Sequence, residues 1–286
     1  MSEHGGEQQT VPLRAIEPTL IYRVEAPDGS IVYALREGEV FRRVHMTLEQ
    51  LFEAMERGEP IVGGEGFVMS GTPRVLPPVA PGKVVCVGRN YAKHALELGN
   101  PLPVEPLLFT KPVTSVIGGG GAEIELPWQS EEVQHEGELA VVIGRRAKGV
   151  SEAEAMDYVL GYTCANDVTA RDLQRLDGRF TRAKGFDTFC PLGPALVLRR
   201  GYEPGSHTLV CRVNGDERQR SRLDDWIFPI PRLLSYISDI MTLMPGDVVL
   251  TGTPAGVGPL VDGDVVDVEI EGIGVLHNRV VRRARQ

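Results

Sequence analysis

The run HEGELAVVIG at 135–144 decides how the chain is read. Leu139 to Ile143 is a short apolar block with β-branched residues, closed by Gly144, the pattern of a buried strand. Successive side chains on a strand point to opposite faces, so Glu136 and Glu138 share one face. Carboxylates about 7 Å apart repel unless a positive charge lies between them, and a divalent cation meets that need. The plainer alternative is two solvated glutamates at a strand start. It sits awkwardly here, because the pair leads straight into apolar strand.

Outward from that run, CANDVTARDLQ at 164–174 places Asp167 where a helix over 168–176 is expected to begin. Asp167, Arg171 and Gln174 stand at i, i+4 and i+7, one face of such a helix. Asp167 is then either a third metal carboxylate, with Arg171 and Gln174 lining the same pocket, or an N-cap paired with Arg171. GRNYAKHALELG at 88–99 predicts a short helix over 90–98. His94 and Glu97, three residues apart on it, are close enough for the carboxylate to orient the imidazole. Such a dyad deprotonates water; the alternative is a polar surface helix. Lys184, in RAKGFDTFCPLGP at 182–194, stands in a loop-like segment expected to be buried. A buried Lys needs a partner or a task, such as neutralising an anionic substrate or an oxyanion. Otherwise it is a partly snorkelling surface Lys. Lys111, just before Pro112, is a similar case.

The glycine-rich VIGGGG at 116–121 and LTGTPAGVG at 250–258 match neither a dinucleotide fingerprint nor a phosphate loop. Both read as tight loops, and Thr251, Thr253 and the N–H groups of the second are able to bind a carboxylate. His135 adjoins the acidic pair and is expected behind it or on a lid. His45, His207 and His277 have no partner that the sequence names. The segment QRSRLDDWIFPIPRLL at 219–234 reads either as core packing or as part of the working face.

Leu20, Tyr22 and Val24, then Ile31, Tyr33 and Leu35, each share a strand face around Asp28-Gly29, which predicts a β-hairpin. Thr47 is expected to cap a helix through Met55, with Gly58 as its stop. SGTPRVLPPVAPGK at 70–83 reads as a linker. The expected organisation is a small β-rich unit over 1–78, with a loose arm at 1–18, and a main body over 79–286. Strands are expected near 84–87, 107–109, 123–126, 138–143, 195–198, 208–213, 247–250 and 264–270. Helices are expected at 151–158 and 230–239. The 33 Gly and 21 Pro among 286 residues imply many turns and few long helices.

A net charge of −9 argues against a nucleic-acid scaffold, which needs clustered Lys and Arg. No apolar run approaches the roughly 20 residues of a membrane helix. The four Cys lie far apart with no C-x-x-C, which gives no zinc signal and fits a reducing cytoplasm, the expected compartment. The first 18 residues show no apolar core of a signal peptide.

Seven of these motifs in order resemble the fumarylacetoacetate hydrolase family, over roughly residues 80–280. They are GRNYAKHALE, FTKPVTSVIGGG, HEGELAVVIG, GYTCANDVTARDLQ, KGFDTFCPLGP, NGDERQ and LTGTPAGVG. The resemblance is to the shorter bacterial branch. It implies a predominantly β fold, strands rolled into a sandwich-like barrel with short peripheral helices, as a homodimer. It implies a Mg²⁺, Mn²⁺ or Ca²⁺ site on Glu136, Glu138 and Asp167, a catalytic His94 helped by Glu97, and a substrate-side Lys184. Arg171 and Gln174 match the helix that faces the substrate.

An oxygen-only ligand set suits Mg²⁺ or Mn²⁺ rather than Zn²⁺. Three carboxylates around a doubly charged ion leave one negative charge. The expected reaction is hydrolysis of a C–C bond in a β-diketo (2,4-dioxo) acid by way of a metal-bound enolate. In it His94 activates water and Lys184 steadies the oxyanion. The same machinery serves isomerisation of a 2-hydroxy-2,4-dienedioate or decarboxylation of an oxaloacetate-like acid. A sugar-acid or ureido-acid lyase and a non-catalytic 2-oxo-acid binding protein are further readings. The missing dinucleotide fingerprint disfavours a dehydrogenase.

Overall fold

The run that opened the sequence reading is the strand Gly137–Ile143, and all seven of its residues are buried. Its two faces serve two cores. Leu139, Val141 and Ile143 point into one apolar cluster, while Ala140 and Val142 point into another. A strand covered on both sides needs an uninterrupted apolar run rather than alternation. The computed structural model describes residues 17–69, 75–97, 99 and 101–283. Residues 1–16 of the expected arm and 70–74 of the expected linker lie outside them.

Gly137–Ile143 sits inside a large twisted sheet. From one edge the strands run Gly66–Val68, Val40–Val44, Ile31–Glu37, Leu20–Glu25, Cys190–Leu198 and Val159–Asn166. Gly137–Ile143 follows, then Val248–Leu250, Val84–Gly88 and Leu107–Lys111. A five-stranded sheet packs on the middle of this one. Its order is Asp216–Arg222, Thr208–Val213, Val265–Ile270, Gly274–Arg282, Glu123–Leu126. Leu139, Val141, Tyr162 and Val197 of the first sheet meet Leu209, Cys211, Val268, Ile270 and Leu276 of the second in one core, a sandwich. The fold is predominantly β with short helices, as the motifs implied.

The N-terminal hairpin forms as expected, with Tyr22 opposite Ala34 and Val24 opposite Val32. Its burial departs from the simple alternation, because Ile21, on the face opposite Val24, is also fully buried. Ile21 packs under the helix Leu48–Arg57. The hairpin continues the main sheet, with Leu20 paired to Val197 and Ile21 to Leu196. Phe41, Val24 and Ala34 form a small core of their own. Thr47 caps its helix in a reciprocal pair with Gln50, and Gly58, at φ 69°, ends it.

Three expected helices are shorter than the spacing suggested. The stretch 151–158 yields only a 3₁₀ turn, Ala155–Tyr158. The dyad helix is Ala92–Glu97. The helix expected at 168–176 begins at Arg171, because Thr169 and Ala170 pair as a strand with Gln134 and Val133. Ladder pairing and helical backbone angles exclude each other. Asp167 is therefore no helix cap; it lies in the link between the strands Val159–Asn166 and Thr169–Ala170.

Candidate active site

Strand register brings the three acids together. Glu138 lies opposite Ala165 and Gly137 opposite Asn166, so the next step sets Asp167 beside Glu136. The main chains are clasped there, with Asp167 N donating to Glu136 O at 2.8 Å and Glu136 N to Asn166 Oδ1 at 2.9 Å. One carboxylate oxygen from each of Glu136, Glu138 and Asp167 lies within 4.8 Å of the others, and all three residues are buried.

Three cations meet these acids. Lys184 Nζ donates to Glu136 Oε2 at 2.8 Å, Asp167 Oδ2 at 2.6 Å and Thr169 Oγ1 at 2.8 Å. Lys111 Nζ donates to Asp167 Oδ1 at 2.6 Å and to Val168 O at 3.1 Å. Arg171 pairs with Glu136 and also donates to Gln134 Oε1 at 2.9 Å and Gln174 Oε1 at 2.6 Å. Lys184 sits at the end of a four-residue helix, Thr181–Lys184, rather than in a loop. Burial opposes charge on both Glu136 and Lys184. For Glu136 the Lys184 and Arg171 charges outweigh it and hold the carboxyl below its usual range. For Lys184, Asp167 and Glu136 outweigh burial and raise the ammonium above its usual range.

Glu138 is different. Its Oε2 accepts Gly252 N–H at 2.7 Å, but among the described residues it has no ion pair. Burial, then the neighbouring Asp167 and Glu136 charges, push its carboxyl well above the usual range. A 2%-exposed carboxylate with two acids beside it and no cation of its own is the feature that fits a metal ion. Glu136, Glu138 and Asp167 offer hard oxygen donors of the kind Mg²⁺ or Mn²⁺ takes.

The dyad faces the same space. His94 Nδ1 lies 3.2 Å from Glu97 Oε2, and Glu97 is held in turn by the N–H of Gly256 at 3.0 and 3.2 Å. The preceding turn is pinned by Asn90, whose Nδ2 donates to Phe228 O at 3.0 Å and Thr251 O at 2.8 Å. Asn90 Oδ1 accepts Phe228 N–H at 2.8 Å, and its carbonyl accepts Ile227 N–H at 2.7 Å. The Trp-Ile-Phe segment thus braces the dyad. The loop 250–258 does bind carboxylates through its N–H groups, but they are the protein's own, Glu138 and Glu97. Gly252 is required there: its φ is 98°, and a Cβ would come within 2.7 Å of Asn90 Cβ.

A cavity of about 620 Å³ is lined by every expected site residue except Lys111 and Thr251. Lys111 is 2% exposed and stands behind Asp167, so its contact is with an acid of the site. Thr253 lines the cavity, but its hydroxyl is already engaged. It donates to Gly137 O at 2.8 Å and accepts from Gln219 Nε2 at 2.7 Å.

Sequence reasoning gave no role to Asn90, Thr169 or Gln219. Gln219, 1% exposed, accepts Gly137 N–H at 2.9 Å between the two glutamates and lies 3.2 Å from His135 Nδ1. The "NGDERQ" motif contained it, but its partners are 82 and 84 residues away. His135 stands behind the acids, where burial lowers its pKa and favours the neutral ring. His277 pairs with Asp267 at 2.7 Å, and His207 stacks on Tyr202 with ring centroids 4.5 Å apart. The four cysteines are free and buried, and no described helix is long and apolar enough to cross a membrane.

The chain resembles known proteins in both sequence and fold. The chain is similar to the crystal structure of 5-carboxymethyl-2-hydroxymuconate delta-isomerase from Mycobacterium smegmatis. It is 44% identical, covers 92% of this chain and 100% of that one, and superposes with TM-score 0.81. It is likewise similar to 2-hydroxyhepta-2,4-diene-1,7-dioate isomerase from Mycobacterium marinum, with 41% identity, 93% and 100% coverage and TM-score 0.81. A mitochondrial oxaloacetate tautomerase of Arabidopsis thaliana is 47% identical over 207 residues, 71% of this chain and 92% of that protein. The family model described as fumarylacetoacetate hydrolase, C-terminal, matches residues 83–281, and the chain belongs to that family.

Proposed function

We propose that the protein is a divalent-metal-dependent enzyme that moves a proton on the carbon beside the keto group of a 2-oxo dicarboxylic acid. The reaction class is keto–enol tautomerisation or double-bond shift. One observation carries the reading: a buried acid triad and a His–Glu dyad line the same cavity. The names of the similar tautomerase and isomerases favour this outcome over the hydrolysis that the motifs first suggested.

A divalent cation on Glu136, Glu138 and Asp167 would place positive charge where an enolate's negative charge develops. Glu97 beside Nδ1 fixes the imidazole tautomer that carries its proton there and leaves Nε2 as the base. Nε2 takes the proton from the carbon beside the keto group; delivery of a proton to the keto oxygen completes tautomerisation, and delivery to the far carbon of the conjugated chain completes the double-bond shift. Lys184 and Lys111 hold Asp167 in place. The formal charge also bears on the substrate. Counted alone, three carboxylates around a divalent ion would leave one negative charge. Lys111, Lys184 and Arg171 equal the three carboxylates in number, although all three pair with Glu136 or Asp167, so a divalent ion would make a surplus of two positive charges. A dianionic acid balances that surplus. The protein is further proposed to act as a homodimer, to be checked by light scattering.

Incubation with Mg²⁺ and oxaloacetate or hydroxymuconate-type acids tests the reading. Accelerated interconversion of enol and keto forms, or an isomeric product, abolished by a chelator, is expected. Two fragments from an acylpyruvate would establish the hydrolytic alternative, in which the same dyad activates water. Inactivity on all of these acids with metal bound would end both.

A further inference from the structure

The cations that line the cavity are Arg89, Arg171, Arg175 and Lys184. Three of them are spent within the protein. Lys184 and Arg171 hold the acids, and Arg175 pairs with Glu132. Arg89 alone has no hydrogen bond or ion pair among the described residues, although it is half-buried. A guanidinium partly removed from water without a partner gives up hydration for nothing unless a ligand supplies the anion.

Its backbone points the same way. Arg89 has φ 59°, one of three non-glycine residues with positive φ among those described. Left-handed backbone is unfavourable for a residue with a Cβ, and persists only where its surroundings over-determine it. The determinant is the next residue: Asn90 is fixed by its bonds to Thr251, Ile227 and Phe228. The turn therefore holds Arg89 in an unfavourable conformation on the cavity wall, between the strand Val84–Gly88 and the dyad helix.

We propose that Arg89 receives the distal carboxylate of the substrate and sets the preference for dicarboxylic over monocarboxylic 2-oxo acids. The assignment rests on the 2-oxo-acid reading above. In it the 2-oxo-carboxylate end lies at the acid triad, and the far carboxylate pairs with the one cavity-lining cation that has no protein anion among the described residues. Glu97, the acid on the adjoining helix, is engaged by His94 and Gly256, so it does not compete for Arg89.

The test uses matched ligands that differ only at the far end: 2-oxoglutarate against 2-oxopentanoate, and 2-oxoadipate against 2-oxohexanoate. Affinities are measured by calorimetry on the Mg²⁺-loaded protein, for wild type, Arg89→Lys and Arg89→Met. Wild type is expected to prefer the dicarboxylate of at least one pair by about tenfold or more, the worth of one charge-assisted hydrogen bond. Arg89→Met is expected to erase that preference, and Arg89→Lys to keep part of it. A ratio unchanged in Arg89→Met overturns the assignment while leaving the tautomerase reading to its own assay. No preference in wild type for either pair overturns it too. Mg²⁺-dependent thermal stabilisation, read on each variant, confirms that the metal site is intact when the ratio is compared.

Discussion

The acid triad and the His94–Glu97 dyad share a cavity but are built in opposite ways. Glu138 lies on the central strand Gly137–Ile143, Glu136 and Asp167 stand one residue beyond the ends of Gly137–Ile143 and Val159–Asn166, and all three are at most 5% exposed. The dyad rides on a six-residue helix; His94 is 4% exposed and reaches outward only through the cavity it lines, while the Glu97 side chain is 34% exposed. Holding concentrated charge demands a rigid frame with every lone pair placed, whereas handing a proton to and from a ligand demands access. The triad is braced by side chains from 17 to 56 positions away. The dyad is braced mainly through backbone groups of the 226–228 and 251–256 segments. The first region should therefore govern metal binding together with stability, and the second should govern rate while leaving metal binding nearly unchanged.

The largest expected effect breaks the triad. Glu136→Ala leaves Lys184 and Arg171 short of a buried partner. It should cost about 3–5 kcal/mol in chemical denaturation and abolish metal binding in calorimetry. On the dyad side, His94→Ala should lower turnover by at least about 10²-fold while leaving metal affinity within a few-fold. Equal loss of metal binding in both variants would erase the distinction between the regions. Asn90→Ala strips three side-chain bonds from the dyad's footing and strands the Phe228 N–H. A cost of about 1–3 kcal/mol in denaturant and a fall in turnover larger than any change in metal affinity are expected.

Protons sharpen the contrast. In the metal-free protein Glu138 holds its proton to higher pH than an ordinary carboxyl, because burial and two acids disfavour its charge. The ion requires the carboxylate, so binding displaces that proton. Metal affinity should rise with pH, by up to about tenfold per unit, while Glu138 is still protonated, and level off above. Calorimetry in buffers of different ionisation enthalpy reads the released proton. An affinity flat with pH across the whole carboxylate range would contradict it. The smallest effect lies outside both regions. Thr47→Ala removes the capping pair with Gln50, at about 1 kcal/mol of stability, with turnover unaffected.

Much of this was legible in local pattern. Glu136 and Glu138 stand out because an E-x-E leads into an apolar block. His94 and Glu97 stand out because three residues is one helical turn. What local pattern misreads is Asp167. Its spacing to Arg171 and Gln174 fits a helix, but Thr169 and Ala170 are captured by a strand that begins at Val133. Long-range partners were also beyond it. Lys111 reads as a substrate lysine until the strand Leu107–Lys111 proves to end against Asp167, 56 residues on. Gln219 and Asn90 carry no chemical signal of their own; their roles follow from segments that fold back onto them. The strand Val159–Asn166 was likewise unannounced, since Gly161, Tyr162 and Asn166 dilute its apolar run.

The metal claim is tested most directly by anomalous diffraction from crystals grown with saturating Mn²⁺. One anomalous peak is expected between the carboxylates of Glu136, Glu138 and Asp167, and it should vanish in Glu138→Ala. No peak there, or a peak that persists in the variant at full height, would contradict a cation held by these three acids.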